Sequence, residues 1–302
     1  MFGRTVRDSG SLLGVEIASG AVRLLQLERR PRGLALRGWG IEPLPPGALA
    51  DGRVVAHEVV AEAIGRARQR SGTSVREAVL AVPSAAVIQH AVAMPSGLDD
   101  EEIDERLRDE AEQFIPFSVE EAALDYRVVP GTPGMLNVAF TACRQEWLDS
   151  LERVMDLAGL RARIVDIDSH AWQRVLARQA PGVSAVLLLE ADAWVFHGFR
   201  VDGGLLFSER RVPMEPRLES LVEFVDLCLL REPGAMPDRL WLAGAQAGWE
   251  GLAEQLQWHL GITTRTFDPL AGLLLPQRDD DVLEQAAPLL GVAYGLALRG
   301  YN

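Results

Sequence analysis

The sequence predicts a mixed α/β protein built as two related lobes, on three observations. Strand-like apolar runs alternate with helical ones along the whole chain. A three-strand meander opens the chain, and a second follows the break at Gln179–Gly182. The two meanders, LLGVEIASGAVRLLQLERRPRGLALRG and VLLLEADAWVFHGFRVDGGLLFSERR, read as a weak internal repeat. In it Glu16 and Glu190 hold matching places near the ends of the first strands.

The elements follow in order. Strands are predicted at Leu12–Ile17, Ala21–Leu27 and Leu34–Gly40, joined by turns at Ser19-Gly20 and Pro31-Arg32-Gly33. Val55–Arg70 is a helix, with Val59, Val60, Ala63, Ile64 and Ala67 on one face. Ala78–Val82 and Ala86–Met94 are strands around Pro83-Ser84. Asp99–Gln113 is a helix with Ile103, Leu107, Ala111 and Phe114 at helical spacing and acids in its first turn, where the helix dipole favours them. Strands Leu124–Val129 and Leu136–Cys143 flank Gly131–Gly134, a helix runs from Gln145 to Ala158, Arg161–Val165 is a strand and Ser169–Arg178 a helix. The second meander is Ala185–Leu189, Trp194–Arg200 and Leu205–Arg211, with a turn at Asp202-Gly203-Gly204. Helix Arg217–Leu230, strand Arg239–Leu242, helix Leu252–Leu260 and a last helix Leu289–Leu298 complete the chain, and Asp279–Asp281 is read as a solvated loop.

Composition removes several functions. All 30 basic residues are Arg, against 43 acids, for a net charge of -13. Without lysine there is no Schiff base and no GxxxxGK[ST] phosphate loop, and no basic stripe suits nucleic acid. Cys143 and Cys228 match no CxxC pattern and are expected as small buried hydrophobes in a reducing, cytoplasmic setting. Met1–Ser11 shows no apolar signal region, and Ala286–Leu298 is too short to cross a bilayer, which needs roughly 20 residues.

Catalytic patterns are missing as well. His57-Glu58 begins an HExxH string that fails at Ala61, and there is no GxSxG or GxGxxG. Asp166, Asp168 and His170 are of metal-ligand type, but at a strand-to-helix junction Asp and Ser routinely cap the helix, the reading favoured here. His90, His197 and His259 have no partner pattern and are expected to be structural.

Duplicated α/β lobes are the plan of the actin-like ATPase fold. Within that plan the sequence resembles the type IV pilus assembly PilM family, related in fold to the cell-division protein FtsA. The residues that carry the resemblance are EAEQFIPFSVEEAALDYRVV (Glu110–Val129), LLGVEIASGAVRLLQLE, Ala81–Pro83, ACRQEWLDSLERVMDLAGLRARIVDID and the terminal Gly295–Arg299. On this plan residues 1–11 form a flexible tail, 12–182 a first lobe with an inserted subdomain at about 75–166, 183–282 a reduced second lobe, and 283–302 a C-terminal helix returning to the first lobe.

The resemblance implies a cytoplasmic scaffold, peripheral to the inner membrane, that binds the N-terminal tail of a PilN-like membrane protein. The tail would lie in a groove between the first lobe and the inserted subdomain, with indirect links to a PilO-like protein and the pilus motor. Phe114, Ile115 and Phe117 are candidates for that groove, or else for packing the subdomain. An ATP-binding switch or ATPase in pilus, competence or secretion machinery is the alternative.

The nucleotide motifs depart from the family's pattern. Its first phosphate loop, normally opened by Asp, reads Glu16-Ile17-Ala18-Ser19-Gly20, keeping the charge and the small residues. The second, Leu189-Glu190-Ala191-Asp192-Ala193-Trp194, lacks the glycine and hydroxyl, and Trp194 or its neighbours could fill the phosphate space. The adenosine motif, Leu242-Ala243-Gly244-Ala245-Gln246-Ala247, keeps one glycine of two. The candidate nucleotide contacts are therefore Glu16, Ala18, Ser19, Gly20, Gly244 and Ala245, with no ATPase activity expected, ATP and magnesium not required, and no metal residues assigned.

Overall fold

The computed structural model describes residues 11–180, 182–190, 192–200, 205–214, 217–231, 236–275 and 280–301. The tail expected at 1–11 (save Ser11), the turn at Asp202–Gly204, Ala191 and Asp279 lie outside them.

The first meander is β1 (Leu13–Ala18), β2 (Ala21–Arg30) and β3 (Gly33–Pro43). A two-residue turn, with Gly20 at φ +84, sets the register that puts Glu16 opposite Arg23. A short hairpin, β4 (Leu49–Ala50) and β5 (Arg53–Val54), precedes α1 (His57–Ser71). It was not anticipated, because two-residue strands carry no periodicity. β6 (Glu77–Val82) then pairs parallel with β1.

An inserted three-stranded sheet follows. β7 (Ile88–Pro95) leads to α2 (Asp100–Ala111), then β8 (Ala122–Pro130) and β9 (Met135–Arg144), in the order β7-β9-β8. Asp99 and Glu102 close a reciprocal capping box at the start of α2. Ile103, Leu107 and Ala111 press on Val92, Val138 and Phe140 to make a core of this unit's own. The chain returns through α3 (Gln145–Leu157), β10 (Arg161–Ile167) and α4 (Asp168–Gln179). The first-lobe sheet thus runs β10-β6-β1-β2-β3.

The second lobe repeats that order. β11 (Ser184–Leu189), β12 (Trp194–Phe199) and β13 (Leu205–Arg211) form its meander. After α5 (Leu218–Leu229), β14 (Arg239–Ala243) pairs parallel with β11; α6 (Leu252–Leu260) and β15 (Thr263–Thr266) follow. The order β15-β14-β11-β12-β13 matches β10-β6-β1-β2-β3 strand for strand. Among the described residues α5 alone lies between β13 and β14. β15 escaped notice because Thr-Thr-Arg-Thr has no apolar alternation.

The chain ends in α7 (Asp280–Ala286) and α8 (Gly291–Ala297). Asp280 and Asp281 therefore open a helix, not a loop, in keeping with the preference of acids for a helix N-terminus. The expected final helix is one seven-residue turn pair between two 3-10 turns, interrupted where Pro288 sits.

These elements stack in five layers. Leu13 and Val15 of β1 face α1 and α3, while Ala185, Leu187 and Leu189 of β11 face α5 and α6. Between the sheets, α4 and α8 share one core with Leu12 and Leu25 of the first lobe and Val186, Leu188 and Phe199 of the second. Every residue of α8 is buried, which explains the apolar stretch near the C-terminus: a helix packed on all sides must be apolar all round. A Cβ on Gly295 would sit 2.3 Å from the Ala171 carbonyl oxygen, so glycine permits the close crossing of α4 and α8. No helix among the described residues is long and apolar enough to cross a membrane.

Candidate functional site: the cleft between the lobes

Strand alternation decides what faces the cleft. Leu13, Val15 and Ile17 point to the outer helices, so Gly14, Glu16 and Ala18 point toward the other lobe. By the same rule Leu188 and Glu190 end the inward row of β11. The resulting cleft, with a cavity volume of about 140 Å³, lies between the β1–β2 turn, the β4–β5 hairpin, α3 and the second-lobe meander.

Its charge is lopsided. Glu16, Asp51, Asp168, Glu190 and Asp192 line it, with Arg210 as the sole lining cation among the described residues. Apolar walls come from Ile17, Leu49, Val54, Trp147 and Leu151. Arg210 is the loose bridge across the mouth, 3.8 Å from Asp51 of the first lobe and 3.9 Å from Asp192 of the second.

The tight bridge lies beneath. The Glu16–Arg23 register puts both side chains on the inward face, and Arg23 is only 2% exposed. Its Nη1 donates to Glu16 Oε1 at 3.1 Å and its Nη2 to Glu190 Oε2 at 2.8 Å. Burial pushes the Glu16 carboxyl up to about 7 against the pull of Arg23, with Glu190 and Asp168 adding to the rise. For Arg23 burial works against the charge, but the two carboxylates outweigh it and hold the guanidinium protonated.

The DIDSH segment splits across α4. Asp166 accepts from Arg174 Nη2 at 2.5 Å and from the Ile167 N–H at 2.8 Å, with His170 Nδ1 3.5 Å away. Burial opposes its ionisation, yet His170, Arg174 and Arg299 hold this carboxyl down at about 2. Asp168 accepts from the Ser84 N–H at 2.9 Å and from the Ser84 hydroxyl, tying α4 to the turn after β6. The capping expectation is corrected: the helix begins at Asp168, so its N-cap is Ile167, which has no side-chain acceptor, and the Asp168 carboxylate accepts instead from the Ser169 N–H at 2.6 Å and from Ser84. Among the described residues no group of three or more His, Cys, Asp and Glu side chains is arranged to hold a metal.

Of the residues singled out for nucleotide, Glu16, Ala18 and Ser19 line the cleft. Gly20 is an exposed turn residue and Ala245 is exposed outside the cleft lining. Gly244, at φ +92, backs onto the cleft floor: a Cβ there would lie 2.8 Å from the Leu189 oxygen and 3.0 Å from Glu190 Oε1. The neighbours Ala193 and Val195 line the cleft, but Trp194 does not. It is buried in the outer core of the second lobe, 6.1 Å from Phe224, because β12 alternation turns it away from the cleft. Arg23, Asp51, Trp147 and Arg210 also belong to the site, with no motif in the sequence to mark them.

The inserted unit offers a second surface. Phe114 is 37% exposed and stacks on His90 at 3.8 Å, and the Arg144 guanidinium lies 4.5 Å over Phe117. Ile115 is 6% exposed inside the unit's core, so it packs the subdomain and presents nothing to a partner. Both cysteines are buried, and burial raises their thiols. His197 is fully buried and burial keeps its ring neutral, while His90 and His259 make ring contacts.

Two lobes with the same strand order, packed about a shared helical layer with a cleft above it, define an actin-like protein carrying an inserted subdomain. The family model for type IV pilus assembly protein PilM matches residues 14–186. The chain belongs to that family. A solved PilM–PilN type IV pilus biogenesis complex is 25% identical, with a TM-score of 0.81 over 96% of this chain and 98% of that one. The ethanolamine utilization protein EutJ from Carboxydothermus hydrogenoformans, 12% identical, shares the fold at a TM-score of 0.56 over 98% of this chain and 92% of its own. A nucleotide-free diol dehydratase-reactivating factor, 9% identical, does so at 0.51 over 96% of this chain and 99% of that one.

Proposed function

We propose that this chain is a non-enzymatic scaffold of the type IV pilus assembly complex that binds the N-terminal tail of a PilN-like membrane protein. The observation that carries the reading is the likeness over 96% of the chain to the PilM–PilN complex. The scaffold would work at the cytoplasmic face of the inner membrane, held there by its partner, and would reach a PilO-like protein and the pilus motor through it. An extended tail needs apolar anchors and matching charge. Phe114 on its His90 platform supplies an anchor beside Phe117, and α2 adds Asp100, Glu101, Asp104 and Glu105 to attract basic residues.

The cleft suits a magnesium nucleotide poorly. Carboxylates outnumber the arginines about the cleft, which disfavours phosphate, and Glu190 packs against Gly244, where the motif glycine would otherwise give a nucleotide close approach. The alternative of an ATP-responsive switch draws support from Glu16, Ala18 and Ser19 sharing one wall of an open cleft. Phe114→Ala tests the scaffold reading. A synthetic PilN-like tail should bind at least tenfold more weakly to the folded variant, since a buried aromatic anchor is worth about 1.4 kcal/mol or more. Unchanged affinity would remove this surface as the groove.

A further inference from the structure

We propose that Arg23 is a built-in clamp: by bridging Glu16 and Glu190 under the cleft, it holds the two lobes closed with no ligand between them. A two-lobed protein that closes on a ligand draws its closing free energy from that ligand's preference for the closed state. Here an internal cation occupies that role. Arg23 and Glu16 belong to one hairpin, and Glu190 belongs to the other lobe, 167 positions from Arg23. Opening the cleft would break the bond between Arg23, whose side chain is 3% exposed in the closed structure, and Glu190, and leave it one carboxylate instead of two.

Glu190 is held for this task from two further directions. Its N–H donates to the Ala193 carbonyl at 3.0 Å, which fixes the turn after β11. Gly244 backs onto its Oε1, with the Gln246 N–H donating to the Leu189 oxygen at 3.0 Å, so the loop after β14 braces the same turn from behind. Arg210, between Asp51 and Asp192, adds a second bridge across the mouth. At the hinge end, α4 and α8 seal the lobes with apolar packing. The clamp therefore acts beneath the cleft, away from the apolar seal of α4 and α8.

Spin labels test this on the full chain. Glu62 on α1 and Trp258 on α6 are strongly exposed on the outer layers of opposite lobes, and Cys143 and Cys228 are buried and remain in place. With Glu62→Cys and Trp258→Cys labelled, electron–electron dipolar spectroscopy reads the separation of the lobes. The parent protein should give one narrow distance distribution, unchanged by Mg-ATP. Arg23→Gln should broaden it and move it to longer distance. Glu190→Gln, which leaves the Arg23–Glu16 pair intact, should do the same to a smaller degree, and it decides the matter if Arg23→Gln does not fold. Folded variants that retain the narrow parental distribution would overturn the clamp, as would a parental distribution that narrows or shifts on adding Mg-ATP. The outcome is independent of which partner the protein binds.

Discussion

Arg23 of β2 donates to Glu190 of the second lobe across 2.8 Å, and the same guanidinium donates to Glu16 at 3.1 Å. One buried cation thus serves two carboxylates, one from each lobe. The other carboxylates that line the cleft are Asp51, Asp168 and Asp192.

Removing Arg23 should be costly. Arg23→Ala strands two buried carboxylates, and breaking a buried ion pair from one side typically costs 3–5 kcal/mol, read here as about that loss in urea unfolding at neutral pH. The triple replacement Glu16→Gln, Arg23→Met, Glu190→Gln should recover most of it, because no buried charge is then left unpaired.

Glu16 should impose a pH dependence of its own. Its carboxyl is raised from the ordinary 4.5 to about 7 in the folded chain, which therefore holds this proton more tightly than the unfolded chain. The associated stability is fully present below the unfolded value and is lost as pH rises through the folded one, by about 3 kcal/mol. The stability of the parent relative to Glu16→Gln should fall between pH 5 and pH 8. Buried His197, which loses stability in the opposite direction on acidification, is common to both proteins and cancels in the difference.

Gly244→Ala should disturb the clamp from behind. Its φ of +92 and the contacts under or at 3.0 Å to Leu189 and Glu190 leave a methyl no space. A loss of roughly 2 kcal/mol in urea unfolding is expected, combining backbone strain with displacement of the turn after β11.

Asp166→Asn should weaken α4 and remove an acid-sensitive element. The carboxyl is held at about 2 in the fold against an ordinary 3.8, so its contribution is present above the ordinary value and lost as pH falls through the folded one. The parent should exceed the variant by roughly 2 kcal/mol at pH 6, with the gap narrowing toward pH 2 in thermal melts.

Much of the fold was legible because local signals agreed: Ser19-Gly20 and Pro31–Gly33 marked turns, and the meander recurred at 185–211. The Glu16–Arg23 pair was recoverable too, since a two-residue turn at 19–20 sets 16 opposite 23, and a lone arginine in an apolar strand demands a partner. Glu190 was noticed for its place in the repeat, but that it meets Arg23 depends on how the sheets face each other across α4 and α8. Asp51, Trp147 and Arg210 come from three distant segments with no shared spacing, so only tertiary packing brings them to one cleft. Trp194 was misplaced because the side of β12 it occupies depends on register, and a shift of one residue reverses every side chain.

The most direct measurement of the scaffold reading is calorimetric titration of the protein with a synthetic PilN-like N-terminal tail, in the presence and absence of Mg-ATP. We expect saturable binding with the same affinity in both conditions. Binding that appears or tightens only with Mg-ATP would contradict a ligand-independent scaffold and restore the nucleotide switch, and no binding in either condition would contradict the assignment of this partner.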